Sequence, residues 1–224
     1  MPVFRKKPAN HGMIALAKSS RGNAARQSVR FQQVTRMKKP PIIVGISGAS
    51  GIVYGIRLLQ LLKKTNVETH LIVTKAAHQT RTYESDLSAS DLTELADYHY
   101  NIHDIAARLC SGSFKTMGMI IAPCSMKTLA EIATGCTGNL LTRSADVVLK
   151  ERRKLVLMIR ESPLHLGHIR NMAQVTEMGG IIAPPMPAFY NQPVTIDDIV
   201  NHSVGRVLDL FDFDLDIVRR WRDT

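Results

Sequence analysis

The chain has 224 residues, 45% of them hydrophobic, and a formal net charge of +10. All of that excess lies in residues 1–39, which hold ten Lys/Arg and no acid, whereas residues 40–224 carry nineteen of each sign. A neutral body argues against a nucleic-acid-binding fold, whose basic surface would belong to the domain itself, and no apolar run approaches the ~20 residues of a bilayer span.

The basic arm lacks a sustained apolar pattern, and disorder is expected there. Three readings of it stay open. It has the Arg-rich, acid-free composition of a mitochondrial transit peptide. It could tether the protein electrostatically to RNA or an anionic membrane. Or translation starts at Met37, directly before the first strand. The body, residues 40–224, suits one domain, within the usual ~100–200 residues. Cys110, Cys124 and Cys136 form no C-x-x-C pair, so buried thiols in a reducing, cytoplasmic setting are expected rather than a disulfide or zinc framework.

Along the body, strands and helices alternate. An apolar run from Ile42 empties into Ser47-Gly48-Ala49-Ser50-Gly51, and a helical pattern begins at Ile52. Small residues there admit a ligand to the backbone, and the helix N-terminus favours a phosphate. The spacing is not G-x-G-x-x-G, and the second strand, residues 67–73, ends in Thr74-Lys75 rather than an acid. Both points weigh against a dinucleotide and leave room for a mononucleotide. A helix is expected over 75–85, then a polar region with short helical patterns over 90–109. Strands follow at 117–122, 154–159 and 180–183, with helices at 126–134, 139–152, 168–178 and 196–211. Short apolar strands separated by helices indicate a doubly wound parallel sheet, a Rossmann-like α/β fold.

Ligands of such sheets bind beyond the carboxyl ends of the strands. That rule selects Ser47 to Ser50, Thr74-Lys75, the stretch Pro123-Cys124-Ser125-Met126-Lys127-Thr128, Arg160-Glu161, and the proline turn from Pro184 to Tyr190. Each also has a plain structural reading. Ser125 and Thr128 open a helix as N-cap residues do, and Arg160-Glu161 reads as a surface pair. Lys150 reads as a helix-end cation, Arg206 as a solvated charge and Trp221 as a C-terminal apolar plug. The coincidence of the strand-end residues on one rim favours a site there; Lys150, Arg206 and Trp221, taken by themselves, read as structural.

The chain resembles the UbiX/Pad-type flavin prenyltransferases over residues 40–221. The matching motifs are S-G-A-S-G (47–51), V-E-T-H-L-I-V-T-K (67–75), S-G-S-F (111–114), P-C-S-M-K-T-L-A (123–130), R-S-A-D-V-V-L-K-E-R-R-K-L-V-L (143–157), R-E-S-P-L (160–164), P-P-M-P-A-F-Y-N-Q-P (184–193) and V-G-R-V-L-D (204–209). The bias of these motifs is most like the branch associated with phenolic-acid decarboxylases. The resemblance implies a transferase that joins a dimethylallyl group from dimethylallyl phosphate to reduced FMN, with no metal, making prenylated FMN for a UbiD-type decarboxylase. It implies FMN contacts at Gly48, Ala49, Ser50, Thr74, Ser125, Met126, Lys127, Thr128 and Arg160. It implies prenyl-phosphate contacts at Lys150, Arg160, Tyr190 and Arg206, and Ser50, Glu84, Glu161 and Trp221 near the reacting flavin. Members form closed homo-oligomers with the site at a subunit junction, so a dodecamer is expected.

Two departures stand out. Ser47-Gly48 replaces the commoner Thr-Gly. The stretch Pro163-Leu-His-Leu-Gly-His-Ile-Arg-Asn-Met172 stands where many relatives carry Ser-x-Ile-His-x-Glu-Asn-Met, so Arg170 replaces a glutamate and Gly167 loosens the turn. Two other readings remain open: a phosphopantothenoylcysteine decarboxylase of the same fold group, which would show Asn-Met after the late proline turn, and a non-catalytic flavin-binding subunit of an aromatic acid decarboxylase.

Overall fold

The computed structural model describes residues 39–215 and 217. The basic arm up to Lys38 and Trp221 lie outside the described residues, and with them the expectations placed there. The described elements run β1 (Ile42–Ile46), α1 (Ile52–Leu62), β2 (Thr69–Val73), α2 (Lys75–Glu84), α3 (Ala89–Thr93), β3 (Tyr98–Tyr100), β4 (Gly118–Cys124), α4 (Met126–Ala133), α5 (Leu140–Lys150), β5 (Lys154–Ile159), α6 (Leu166–Glu177), β6 (Ile181–Ile182) and α7 (Ile196–Asp209). Single 3-10 turns occupy Arg108–Cys110 and Phe189–Asn191.

The six strands form one sheet in the order β3-β2-β1-β4-β5-β6, and every pairing is parallel. β1 explains why the sheet is covered on both sides. Ile42, Val44 and Ile46 point into a core shared with α1 and α7, while Ile43 points into a second core shared with α4, α5 and α6. With alternate residues facing opposite ways, both faces of β1 need apolar cover, and all five of its residues are buried. Each fully buried Ile or Leu contributes ~1.5–3 kcal/mol relative to exposure. Arg57 of α1 also reaches Asp197 at 3.0 Å and Asn201 at 2.8 Å, tying the first helix to the last.

The doubly wound parallel sheet matches the expectation, and most elements fall within two residues of it. The exception is β3, in the segment expected to be polar with short helical patterns. Tyr98-His99-Tyr100 pairs with His70 to Ile72, held by contacts distant in sequence. His70 is fully buried, accepts or donates hydrogen bonds at Tyr100 Oη (2.8 Å) and Glu68 Oε1 (2.9 Å), and stacks on Tyr98 at 4.9 Å. Among the described residues no helix is long and apolar enough to cross a membrane.

Candidate active site

The strand order reverses direction between β1 and β4, the point at which open α/β sheets bind ligands. Two loops meet there, and Ser47 locks them together. Its Oγ donates to the Pro123 carbonyl (3.0 Å) and accepts from the Ser125 N–H (2.7 Å), and the Ser47 N–H donates to the same Pro123 carbonyl (3.2 Å). At 1% exposure this serine faces protein, not ligand.

The neighbouring turn allows no side chain at Gly48, because a Cβ there would lie 2.3 Å from the Ala76 Cβ on the first turn of α2. Gly51 has φ 98°, a left-handed conformation that only glycine adopts without strain. The N–H groups at the start of α1 meet a carboxylate of this chain. Gly51 and Ile52 donate to Glu84 Oε2 at 2.7 and 3.1 Å. The positive end of the helix dipole suits the negative charge it meets here. The anion is Glu84, delivered from the end of α2.

Glu84 is the electrostatic focus of this rim. Partial burial pushes its carboxyl up, but hydrogen bonds from the Ser50 side chain and the Gly51 and Ile52 N–H groups, with the Arg160 charge, outweigh it. The net effect holds Glu84 below the ordinary carboxylate range, so it is ionised at neutral pH. Arg160 follows β5, its N–H bonded to the Cys124 carbonyl at 3.1 Å. Tyr54 of α1, absent from the sequence reading, also faces this charge: burial raises its phenol pKa and Arg160 opposes the rise. Glu161 is exposed, and its Oε1 accepts from the Ser162 N–H at 3.0 Å.

The other expected FMN residues share the rim. Thr74 caps α2 by accepting from the Ala77 N–H at 3.1 Å. Ser125 caps α4, accepting from the Thr128 N–H (3.3 Å) and donating to Thr128 Oγ1 (3.1 Å). The capping reading is therefore correct for Ser125, whereas Thr128, three positions on, is the residue it caps; the rim position of these hydroxyls stands beside it. Met126 is buried beneath the cap, and Lys127 is exposed and paired with Glu131.

The four expected prenyl-phosphate residues do not converge within one protomer. Arg160 is at the carboxyl rim. Lys150 ends α5, which leads directly into the start of β5, so it lies at the opposite, amino edge. There it pairs with Glu151 and lies beside Gly112 of the S-G-S-F segment, which Arg153 anchors through the Gly112 and Phe114 carbonyls, both at 2.7 Å. Arg206 is in the last turn of α7, whose end also meets the amino edge through Lys154 and the Leu210 carbonyl. Tyr190 reaches α7 from the proline turn, with its Oη 3.3 Å from His202 Nε2. His202 was missed by sequence reasoning. Its one signal is its place four residues before Arg206, on the same helical face.

Among the described residues no group of three or more metal-ligating side chains converges. Several large apolar side chains flank the rim in the open: Leu164, Leu166 and Ile169 near the start of α6, and Met186, Phe189, Val194 and Ile196 around the proline turn, the last four 70–91% exposed.

Comparison with known proteins fits this geometry. A flavoprotein family model matches residues 30–208. The flavin prenyltransferase UbiX of Thauera aromatica is 57% identical over 180 residues, covering 80% of this chain and 93% of the relative, and that of Escherichia coli K12 is 55% identical over 184 residues. Among solved structures, AnUbiX in complex with FMN and dimethylallyl pyrophosphate superposes with a TM-score of 0.81 at 50% identity, covering 83% of this chain and 99% of that one. A dodecameric FMN-dependent UbiX-like decarboxylase from Escherichia coli O157:H7 gives 0.80 at 52% identity, over 81% and 99%. A phosphopantothenoylcysteine decarboxylase, at 21% identity and a TM-score of 0.55, shares the fold alone. With motifs, sheet order and rim all in agreement, the chain belongs to the UbiX-type flavin prenyltransferase family of flavoproteins.

Proposed function

We propose that this chain transfers a dimethylallyl group from dimethylallyl phosphate to reduced FMN, making prenylated FMN for a UbiD-type decarboxylase of phenolic or other aromatic acids. The observation that carries this reading is the ionised Glu84, held at the sheet's switch point by Ser50, two helix N–H groups and Arg160. A nucleotide site has no need of a fixed carboxylate at its phosphate loop, whereas a prenylation that must strip a proton from a ring carbon does.

The donor set fits FMN. Hydroxyls at Thr74, Ser125 and Thr128, the helix end behind Ser125, and the cations Lys127 and Arg160 suit one phosphate and a polar chain. The lack of an acid after β2 suits a mononucleotide. Gly48, Ala49 and Ser50 let the ring approach the backbone. Reduced FMN, when bound, supplies the electron-rich ring atoms to which the prenyl carbons become attached.

The protein's own part is division of charge. As the C–O bond of dimethylallyl phosphate breaks, its electron pair leaves on the phosphate, and Lys150, Arg160, Tyr190 and Arg206 stabilise the charge that builds there. Glu84 receives the ring proton. Ser50 orients Glu84, Glu161 lies beside Arg160, and Trp221 offers an aromatic face to the allylic cation.

The opposite-edge position of Lys150 makes oligomerisation part of the chemistry. One protomer cannot bring Lys150 to Arg160, so the phosphate pocket is completed by neighbouring subunits, in a homo-oligomer taken to be a dodecamer like the Escherichia coli relative. The exposed apolar groups beside the rim support such contacts. We place the protein in the cytoplasm, in keeping with three cysteines that remain thiols.

The deciding experiment is anaerobic incubation with reduced FMN and either dimethylallyl phosphate or its pyrophosphate, followed by mass spectrometry of the released flavin. A flavin heavier by one C5H8 unit is expected. Recovery of unmodified FMN alone would make the protein a flavin-binding subunit instead.

A further inference from the structure

Tyr190 sits on the single 3-10 turn of a segment, residues 183–195, that otherwise lacks regular structure, and it is 51% exposed. A phenol so placed needs an anchor if its hydroxyl is to meet an anion at a fixed point. His202 provides one. Its Nε2 lies 3.3 Å from the Tyr190 Oη, and the two rings meet edge to face with centroids 6.0 Å apart and planes at 87°. His202 comes four residues before Arg206, so the two side chains share one face of α7. Arg206 is in turn braced by Asp209 at 2.6 Å. The face therefore runs from the phenol through the imidazole to the guanidinium, in steps each held by a direct contact or one helical turn.

We propose that His202 is a positioning residue for phosphate recognition: it donates its Nε2–H to the Tyr190 oxygen, aiming and polarising that hydroxyl toward the dimethylallyl phosphate headgroup beside Arg206. This rests on the reading of Tyr190 and Arg206 as phosphate contacts. A hydrogen bond received by the phenol oxygen strengthens the phenol as a donor, because linked hydrogen bonds polarise one another. Burial, and then the Arg206 charge, lower the His202 pKa below its ordinary value against the opposing charge of Asp209. The ring is thus neutral at pH 7 and adds no third cation for the phosphate. Its contribution passes through Tyr190.

The test uses FMN-loaded full-length protein titrated calorimetrically with dimethylallyl phosphate, with turnover measured in parallel. His202→Phe keeps a ring and removes the donor. It should weaken dimethylallyl phosphate roughly 2- to 10-fold, the worth of one neutral hydrogen bond, raising KM with kcat and FMN affinity little changed. His202→Gln, whose amide N–H can occupy the ε position, should recover most of the binding. His202→Asn, whose amide stops at the δ position, should not, and it decides the same question if the Phe variant fails to fold. In a Tyr190→Phe background, His202→Phe should cost nothing further. Equal affinity in wild type and both the Phe and Asn variants overturns the proposal, as do losses that multiply in the double variant or a Gln variant as weak as Phe. Wild-type protein that binds no dimethylallyl phosphate removes the proposed function and this inference with it. Normal wild-type binding with an unaffected His202→Phe removes this inference alone.

Discussion

Ser47→Ala tests whether the switch-point lock organises the site. The substitution deletes one oxygen that is 1% exposed and serves two loops. Pro123 keeps a partner, since its carbonyl still accepts from the residue 47 N–H at 3.2 Å. The Ser125 N–H, at 2.7 Å the shorter contact, is left without its acceptor. Leaving a donor without its acceptor costs ~1–3 kcal/mol when it is buried, and Ser125 is partly buried, so that range is an upper bound. A domain of this size loses ~2–4 °C of Tm per kcal/mol, so a fall of up to roughly 12 °C is expected. Because assembly shifts apparent stability, the melts should be compared at one protein concentration. FMN affinity, followed by quenching of flavin fluorescence, should fall as well, since Ser125 opens α4 from the rim. Ser47→Thr restores the hydroxyl at the same atom and should behave like wild type. An Ala variant that melts and binds FMN like wild type would refute the idea that this serine sets the rim.

Other expectations follow from the same geometry. Glu84→Gln keeps an acceptor for the Gly51 and Ile52 N–H groups but no base, so FMN binding should change little while prenylated product falls ~10²–10⁴-fold; equal losses in both would make Glu84 a structural ligand. Since its folded-state pKa lies below the unfolded value of ~4.3, its carboxylate adds stability above that pH and loses it as pH falls through the folded pKa. Chemical denaturation at pH 6 and pH 3.5 should accordingly show a smaller difference for Glu84→Gln than for wild type. Lys150→Ala and Glu84→Gln proteins, each inactive alone, should regain activity when unfolded and refolded as a mixture; mixed oligomers without activity would place Lys150 outside the pocket. At the start of α6, the His165 Nδ1 caps the helix by accepting from the Gly167 and His168 N–H groups at 3.0 and 3.3 Å. A Cβ at Gly167 would lie 2.9 Å from the His165 Cε1, so the imidazole cap and the glycine belong together. Gly167→Ala alone should therefore gain little of the ~1 kcal/mol that alanine brings to a helix, whereas with His165→Ser the gain should appear in the melting temperature. A single variant as stable as the double would show the two positions to be independent.

The local code of this chain is legible where chemistry and periodicity agree. Apolar strands such as Ile42–Ile46 and residues 155–159 declare a sheet buried on both faces, and Ser125 before Met126 declares a helix start that it does cap, as Thr74 and Thr195 cap theirs. The loops of the rim at residues 47–50, 74–75, 123–128 and 160–161 followed from strand ends, because a parallel sheet places all of those ends on one side; Glu84, at the end of a helix, came only from the resemblance. Tertiary structure decided what depends on partners distant in the chain. Tyr98–Tyr100 is a strand because buried His70 gathers its tyrosines, not because three residues prefer it. The N–H groups at the α1 N-terminus meet Glu84, thirty-three residues on. The four residues expected to hold the prenyl phosphate share a resemblance but not a location within one protomer, since α5 and α7 carry Lys150 and Arg206 away from the rim that holds Arg160. Helical direction across the sheet sets that separation, and no local pattern of residues records which end of a strand a distant helix will reach.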